Sequence, residues 1–385
     1  MAHHGQRVLY LSGPVEPPWT RSDKNLVRAV ASHLERYRPQ VLTHEGVVSG
    51  DARVETIPAW GPRIGGHTPL GRRIGLFSRL MDAQKVDLVH LFWPADALVA
   101  TVVRAAARLR GLPVVHTLVR APRMTVGIRY GLVGQRIACL TQETQQRLTA
   151  EGVQHTLWVP PGIEVREPIP AGEKAAIRRK YRIPLDKTVI IYTGDYAHCF
   201  AARSVAAAMP RVLRQTDVHF VMACRIRSEE DAREESRIKE AVTADGIAAH
   251  VTFLNEVGSL RELFAISTIQ VFPADSFHEK MDLPMVLLEG MAENLATVVA
   301  TKAPLTELVQ AGAALGVPPL DPVALAAAVV ELLRVPDKCQ RLGEAGRALV
   351  EERYDVRWTA RRYETLYDEL LDAAPHANRG SWGGQ

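Results

Sequence analysis

Short runs of Val, Ile, Leu and aromatic residues alternate with helical patterns along nearly the whole chain, and the rhythm starts twice. The first half contains "RVLYLSG" (7 to 13), "VDLVHLFW" (86 to 93), "PVVHTLV" (113 to 119), "RIACLT" (136 to 141) and "HTLWVPP" (155 to 161). The second contains "TVIIYTGD" (188 to 195), "VHFVMAC" (218 to 224), "HVTFLNE" (250 to 256), "IQVFPAD" (269 to 275) and "ATVVAT" (296 to 301). Strand, helix and strand in repeated succession specify a mostly parallel sheet covered by helices. Two Rossmann-like units in tandem are the simplest α/β arrangement that fits. Length agrees, since 385 residues exceed the ~250 to 300 at which a single core stops growing.

The expected boundaries follow from composition. Residues 1–165 form the first unit, and the proline-punctuated, charged stretch at 166–186 reads as a linker. Residues 187–355 form the second unit. The aromatic helix at 356–374 is expected to close back on the first, and 375–385 reads as a flexible tail. No repeat of ~20 to 50 residues interrupts this plan.

With 47% hydrophobic and 23% charged residues, the composition is that of a soluble globular protein. Nothing resembles a signal peptide, and no run approaches the ~18 apolar residues of a membrane span. A cytoplasmic location is expected. Cys139, Cys199, Cys224 and Cys339 lack metal-ligand or disulfide spacing and read as buried thiols. The net charge of +4, dominated by arginine, suits an anionic small-molecule partner or reflects a GC-rich genome; it does not call for nucleic acid.

In open α/β sheets, ligands bind beyond the carboxyl ends of the strands. The first strand ends in "SGPVEPPWTRSDKN", which lacks GxGxxG, so a nicotinamide or flavin cofactor is not expected. The absence of DxD, HExxH, GxSxG and GxxxxGK[ST] argues further that the chemistry needs neither metal nor cofactor. In the second half, Gly194 ends a strand and a helix opens near Ala201. A helix N-terminus, with unpaired N–H groups and about half a positive charge, suits a diphosphate. Arg203 in that first turn opposes the helix dipole and is either a phosphate ligand or a solvated arginine. Arg225 emerges from an apolar run at the next strand end, as an anion ligand or half of a salt bridge. Glu289 sits between Leu288 and Gly290 in the most apolar stretch of the chain, where a charge is costly without a partner.

"VPPGIE" (159 to 164), "HVTFLNEVGSLRELFAISTIQVFPA" (250 to 274) and "DLPMVLLEGMAENLATVVAT" (282 to 301) resemble the retaining GT-B glycosyltransferases of family four, over most of the chain. The resemblance implies two Rossmann-like domains facing across a cleft. It also implies a nucleotide-sugar co-substrate carrying UDP, GDP or dTDP, and transfer with retention at the anomeric carbon. In that family two glutamates eight residues apart open the last of these segments, and the second holds the ribose diol. Glu289 occupies that position, and its carboxylate can accept from two vicinal hydroxyls. The alternative is a structural carboxylate paired with Lys280 or an arginine. The same resemblance puts Asn255 and Glu256 among the donor-binding residues.

This chain departs from the family pattern at three points. The first glutamate is replaced by Met281, so Asp282, Glu279 or the backbone around Met281 to Leu283 has to serve the donor sugar. Asp195 follows Gly194 where the family usually has a positive pair, leaving Arg203, Arg225 and Lys280 to meet the diphosphate. Arg225 and Lys280 are the expected catalytic cations, stabilising charge on the leaving group. A histidine that often lies three residues after the position of His116 is here Val119. For the acceptor, a glycan, a lipid-linked molecule or a small natural product, the expected contacts are Trp19, Arg21, Lys24 and His116; Trp19 stacks on a ring or fills space between domains. The run "LGRRIGLFSRLM" (70 to 81) either docks on an anionic membrane, which would put the protein at its inner face, or packs on its own sheet. A nucleotide-sugar-binding partner subunit without turnover is the alternative function.

Overall fold

The computed structural model describes residues 5–19, 21–60, 80, 86–122, 127–277 and 280–373. The stretch at 70 to 81 apart from Leu80, Glu279, and the tail at 375–385 lie outside them.

The chain forms two compact units. One takes Met1–Glu164, Glu279–Leu283 and Tyr354–Gln385; the other takes Val165–His278 and Pro284–Arg353. The first is built on a parallel sheet of β1 (Arg7–Leu11), β2 (Arg38–His44), β3 (Glu55–Trp60), β4 (Leu88–Trp93), β5 (Val114–Leu118), β6 (Arg136–Cys139) and β7 (Thr156–Trp158), in the order β3-β2-β1-β4-β5-β6-β7. Its helices include α1 (Ser22–His33), α2 (Ala97–Arg110) and α3 (Gln142–Ala150). The sequence sets the ends of α2 clearly. The Asp96 side chain accepts from the N–H groups of Leu98 and Val99, and Gly111, at φ 63°, returns its own N–H to the last turn.

The second unit holds α4 (Ala171–Lys180), β8 (Thr188–Asp195), α5 (Ala201–Leu213), β9 (Val218–Arg225), α6 (Glu229–Ala244), β10 (Val251–Leu254), α7 (Leu260–Ala265), β11 (Ile269–Phe272), α8 (Met285–Ala292), β12 (Ala296–Ala300), α9 (Thr306–Gln310), β13 (Leu315–Val317), α10 (Pro322–Arg334) and α11 (Pro336–Leu349). Its parallel sheet runs β10-β9-β8-β11-β12-β13. Both sheets therefore reverse direction once, between β1 and β4 and between β8 and β11. Those are the switch points where doubly wound sheets open a crevice.

Two expectations about the chain's division need correction. The stretch at 166–186 is not a free linker. It contains α4, and Ile177 and Ile183 are buried with Val189, Ile191 and Leu263 in the core of the second unit. Only one face of α4 is apolar, so its charge and prolines masked the burial. Residues 280 to 283, read as part of the donor half, belong instead to the first unit.

The last helix, α12 (Val356–Ala373), is also part of the first unit. It approaches the chain at Gly162, where a Cβ would lie 2.4 Å from the Val356 Cα. Glu364 accepts from the backbone N–H groups of Glu35 and Arg36 at 2.8 and 2.7 Å. Deeper in, His90 is hydrogen-bonded to the Tyr367 hydroxyl at 2.6 Å and to Thr117 at 2.7 Å, and Thr117 to Tyr363 at 2.9 Å. Tyr10 reaches Tyr367 at 3.2 Å. Burial holds the His90 pKa well below its ordinary value, so the ring is neutral in this network.

Candidate functional site

In the second unit, the chain ends of β8 and β9 lie side by side, with Gly194 opposite Cys224 and Asp195 opposite Arg225. Gly194 is required by packing, because a Cβ there would come within 2.5 Å of the buried Tyr192 hydroxyl. After Asp195 the chain turns into α5 at Ala201, as the sequence suggested. Asp275, beyond β11, accepts from the Phe200 N–H at 2.9 Å, so the turn is tied across the β8/β11 switch point.

Arg225 is half-buried, and among the described residues no carboxylate lies within 4.0 Å of its guanidinium. Burial lowers its pKa, neighbouring Arg227 adds to that, and Asp195 opposes it. Such a cation gains a strong partner when an anion arrives. Asp195 itself is paired with Arg227 at 3.3 Å.

Arg203 is placed in the first turn of α5, but Glu234 of α6 takes its guanidinium in a bidentate pair. That pair offsets the unfavourable helix dipole, which explains the arginine without a ligand. Asn255 follows β10 and lies 3.5 Å from the Tyr196 hydroxyl; Glu256, next to it, is exposed.

Glu289 lies on α8 and is half-buried rather than enclosed by its apolar neighbours. The helix sits close on β11: Gln270 donates to the Leu287 carbonyl at 2.9 Å, and a Cβ at Gly290 would collide with Gln270 at 2.1 Å. The glycine after Glu289 is therefore what lets α8 approach the strand.

Of Lys280 to Leu283, just before α8, Asp282 behaves differently from expectation. Asp282 is 2% exposed, accepts from Thr141 Oγ1 at 2.8 Å, and donates its N–H to the Val119 carbonyl at 3.3 Å. Burial pushes its pKa up against the pull of the threonine hydroxyls. Its carboxyl is thus committed inside the first unit and does not replace the missing donor-sugar glutamate. Met281 and Leu283 are buried, while Lys280 is half-buried.

The expected acceptor residues also find partners at home. His116 is 1% exposed; its Nε2–H donates to the Trp93 carbonyl at 3.1 Å and its Nδ1 accepts from the Val133 N–H at 3.3 Å. Burial lowers its pKa to about 4. With both ring nitrogens used, His116 is a structural histidine and not an acceptor ligand. Arg21 is bidentate to Asp23 at 3.0 and 2.5 Å. Lys24 Nζ donates to the Glu16 carbonyl at 2.7 Å. Trp19 is 37% exposed with the Arg28 guanidinium 4.2 Å from its ring centre. The sequence reading missed Glu16, whose buried carboxylate accepts from the His44 N–H at 2.9 Å and meets its Nδ1 at 2.8 Å.

Among the described residues no group of three His, Cys, Asp or Glu is arranged to hold a metal, and no helix is long and apolar enough to cross a membrane.

Residues 187–335 match the family described as Glycosyl transferases group 1. A curated relative, the N-acetyl-alpha-D-glucosaminyl L-malate synthase of Bacillus anthracis, is 22% identical over 200 residues, which are 51% of this chain and 49% of the relative. The chain thus spans about half the length of the curated relative it matches. Among solved structures, a glycosyltransferase from Rickettsia africae superposes with a TM-score of 0.77 at 15% identity, covering 96% of this chain and 99% of that one. The Anabaena protein HepE, in complex with UDP and glucose, superposes with a TM-score of 0.74 at 14% identity, covering 95% and 100%. The chain has the GT-B fold.

Proposed function

We propose that this protein is a glycosyltransferase that takes a sugar from a nucleoside diphosphate donor, works without metal and retains the anomeric configuration. The observation that carries the reading is Arg225, a half-buried guanidinium without a carboxylate partner among the described residues, at the carboxyl edge of the sheet in the segment with the family match. A diphosphate is the anion that suits it, because charge developing on the leaving group is stabilised by a cation already held in place. The nearby N-terminus of α5 adds peptide dipoles of the same sign. Glu289 is assigned to the ribose diol and Lys280 to the leaving phosphate.

UDP is the first donor base to test, because HepE was crystallised with UDP and with UDP-glucose. The curated relative is named for joining an N-acetylglucosaminyl group to L-malate, which supports a small molecule over a polymer as acceptor. Lipid-linked acceptors and contact with a membrane's inner face remain part of the proposal. A nucleotide-sugar-binding subunit without turnover is the second reading, favoured by Met281 in place of the donor-sugar glutamate.

Titration of UDP, GDP and dTDP into protein treated with chelator tests the donor class. One nucleotide is expected to bind near micromolar, about −8 kcal/mol, and Glu289→Ala to lose ~1 to 3 kcal/mol. No binding by any of the three, or unchanged binding in the variant, overturns the assignment. Transfer to malate and to lipid extracts, followed by NMR of the new anomeric linkage, then separates turnover from mere binding and retention from inversion.

A further inference from the structure

Asp195 and Arg225 are direct neighbours across the paired ends of β8 and β9. Adjacent strands are about 5 Å apart, so a carboxylate and a guanidinium in register should meet. They do not: Asp195 pairs with Arg227, at 3.3 Å. Residues 225 and 227 are two apart, so two guanidinia compete for one carboxylate, and the outcome decides whether Arg225 is neutralised within the protein.

Asp231 explains the outcome. One oxygen of its carboxylate accepts from the Arg227 N–H at 3.1 Å and from Ser228 Oγ at 3.0 Å; the other accepts from the Ala197 N–H at 3.2 Å. Ser228 in turn caps α6 by accepting from the Asp231 N–H at 3.1 Å. A single buried carboxylate, 6% exposed, therefore ties the turn after β9 to the turn after β8.

We propose that Arg227 and Asp231 are positioning residues: Asp231 fixes the backbone of Arg227, and Arg227 draws Asp195 away from Arg225, which keeps Arg225 open to the donor's diphosphate. The inference rests on the functional reading above. Neither residue touches the ligand. Asp195, which stands where an anion site would ordinarily avoid a carboxylate, becomes an internal competitor restrained by Arg227.

The test is a double-mutant cycle read by UDP titration. Arg227→Ala releases Asp195 onto Arg225 and weakens UDP binding about tenfold. Adding Asp195→Asn to that variant restores affinity to within about threefold of the wild type. Asp231→Asn, which leaves one loop tie intact, weakens binding by about threefold, again relieved by Asp195→Asn. A double variant as weak as Arg227→Ala alone overturns the proposal, since Arg227 would then contact the ligand or merely support the loop.

The Nε–H resonance of Arg225 gives a reading without nucleotide. It should shift and exchange more slowly in Arg227→Ala, and return to its original position in the double variant. No movement overturns the proposal whether or not UDP binds. Movement as expected, in a wild-type protein that binds no nucleotide, upholds the carboxylate competition and removes the donor reading instead.

Discussion

In the first unit, a set of polar groups buried around the switch between β1 and β4 is spent on one another. His90, Thr117, Tyr363, Tyr367 and Tyr10 form one connected set, and His116 spends both nitrogens on the backbone. Around the switch between β8 and β11 in the second unit, the polar groups are charged, and one of them has no counterion among the described residues. Asp231, Asp275 and Glu234 fix loops and helix ends, while Arg225 keeps no carboxylate among the described residues. The same strand order can thus be finished in two ways. A closed polar network makes a rigid interior, whereas a charge held without its counterion makes a place for a ligand.

Acid should break this comparison most strongly. His116 and, in the second unit, His219 have pKa values lowered to about 4 by burial. Their stabilisation is complete above the unfolded value of about 6.5 and is lost as pH falls toward 4, because the unfolded chain then binds the extra proton; His116 contributes on the order of 3 kcal/mol and His219, partly screened by solvent, less. His90 adds a further loss of the same sign to the first unit alone. The raised pKa of Asp282 works the other way, relieving a cost as pH falls, and offsets part of it. Hydrogen exchange at pH 7.5 and 5 should show β4 and β5 losing protection before β8 and β9. The reverse order would contradict the account of the first unit's interior.

Next in size is Arg225→Ala, expected to weaken UDP binding by about 2 kcal/mol with little change in melting temperature, since it breaks a ligand contact rather than an internal one. A large fall in melting temperature instead would mark Arg225 as structural. Tyr367→Phe should do the converse, costing ~1 to 2 kcal/mol of stability in denaturant titration by leaving the buried His90 Nδ1 without its hydroxyl. UDP affinity should stay as it was. The smallest effect is expected from Glu234→Gln. Because Arg203 is accounted for by that carboxylate, releasing it should change UDP affinity by less than about threefold; a larger gain would return Arg203 to the diphosphate.

The alternation of strands and helices was legible in the sequence, and so were the position of α5 and the exit of Arg225 from β9, because each depends on local pattern. What the sequence hid was pairing at a distance. Nothing near Arg203 announces Glu234, and nothing near His116 announces the Trp93 carbonyl. Asp282 looked like a substitute sugar ligand because it neighbours Met281, yet Thr141 claims it. One signal was available and unused: Tyr363 and Tyr367 are four apart on the closing helix, so they share a face that had to meet something polar and buried.

The dependence of His90 on Tyr367 also bears on the order in which the protein can be completed during synthesis. The second unit has its entire chain once Arg353 has been made, but the first unit, begun before it, still lacks the helix that satisfies its interior. Domains usually fold in the order they are translated. Here the unit that is begun before the second is finished after it, and it must wait with an unfilled polar core until α12 has been made.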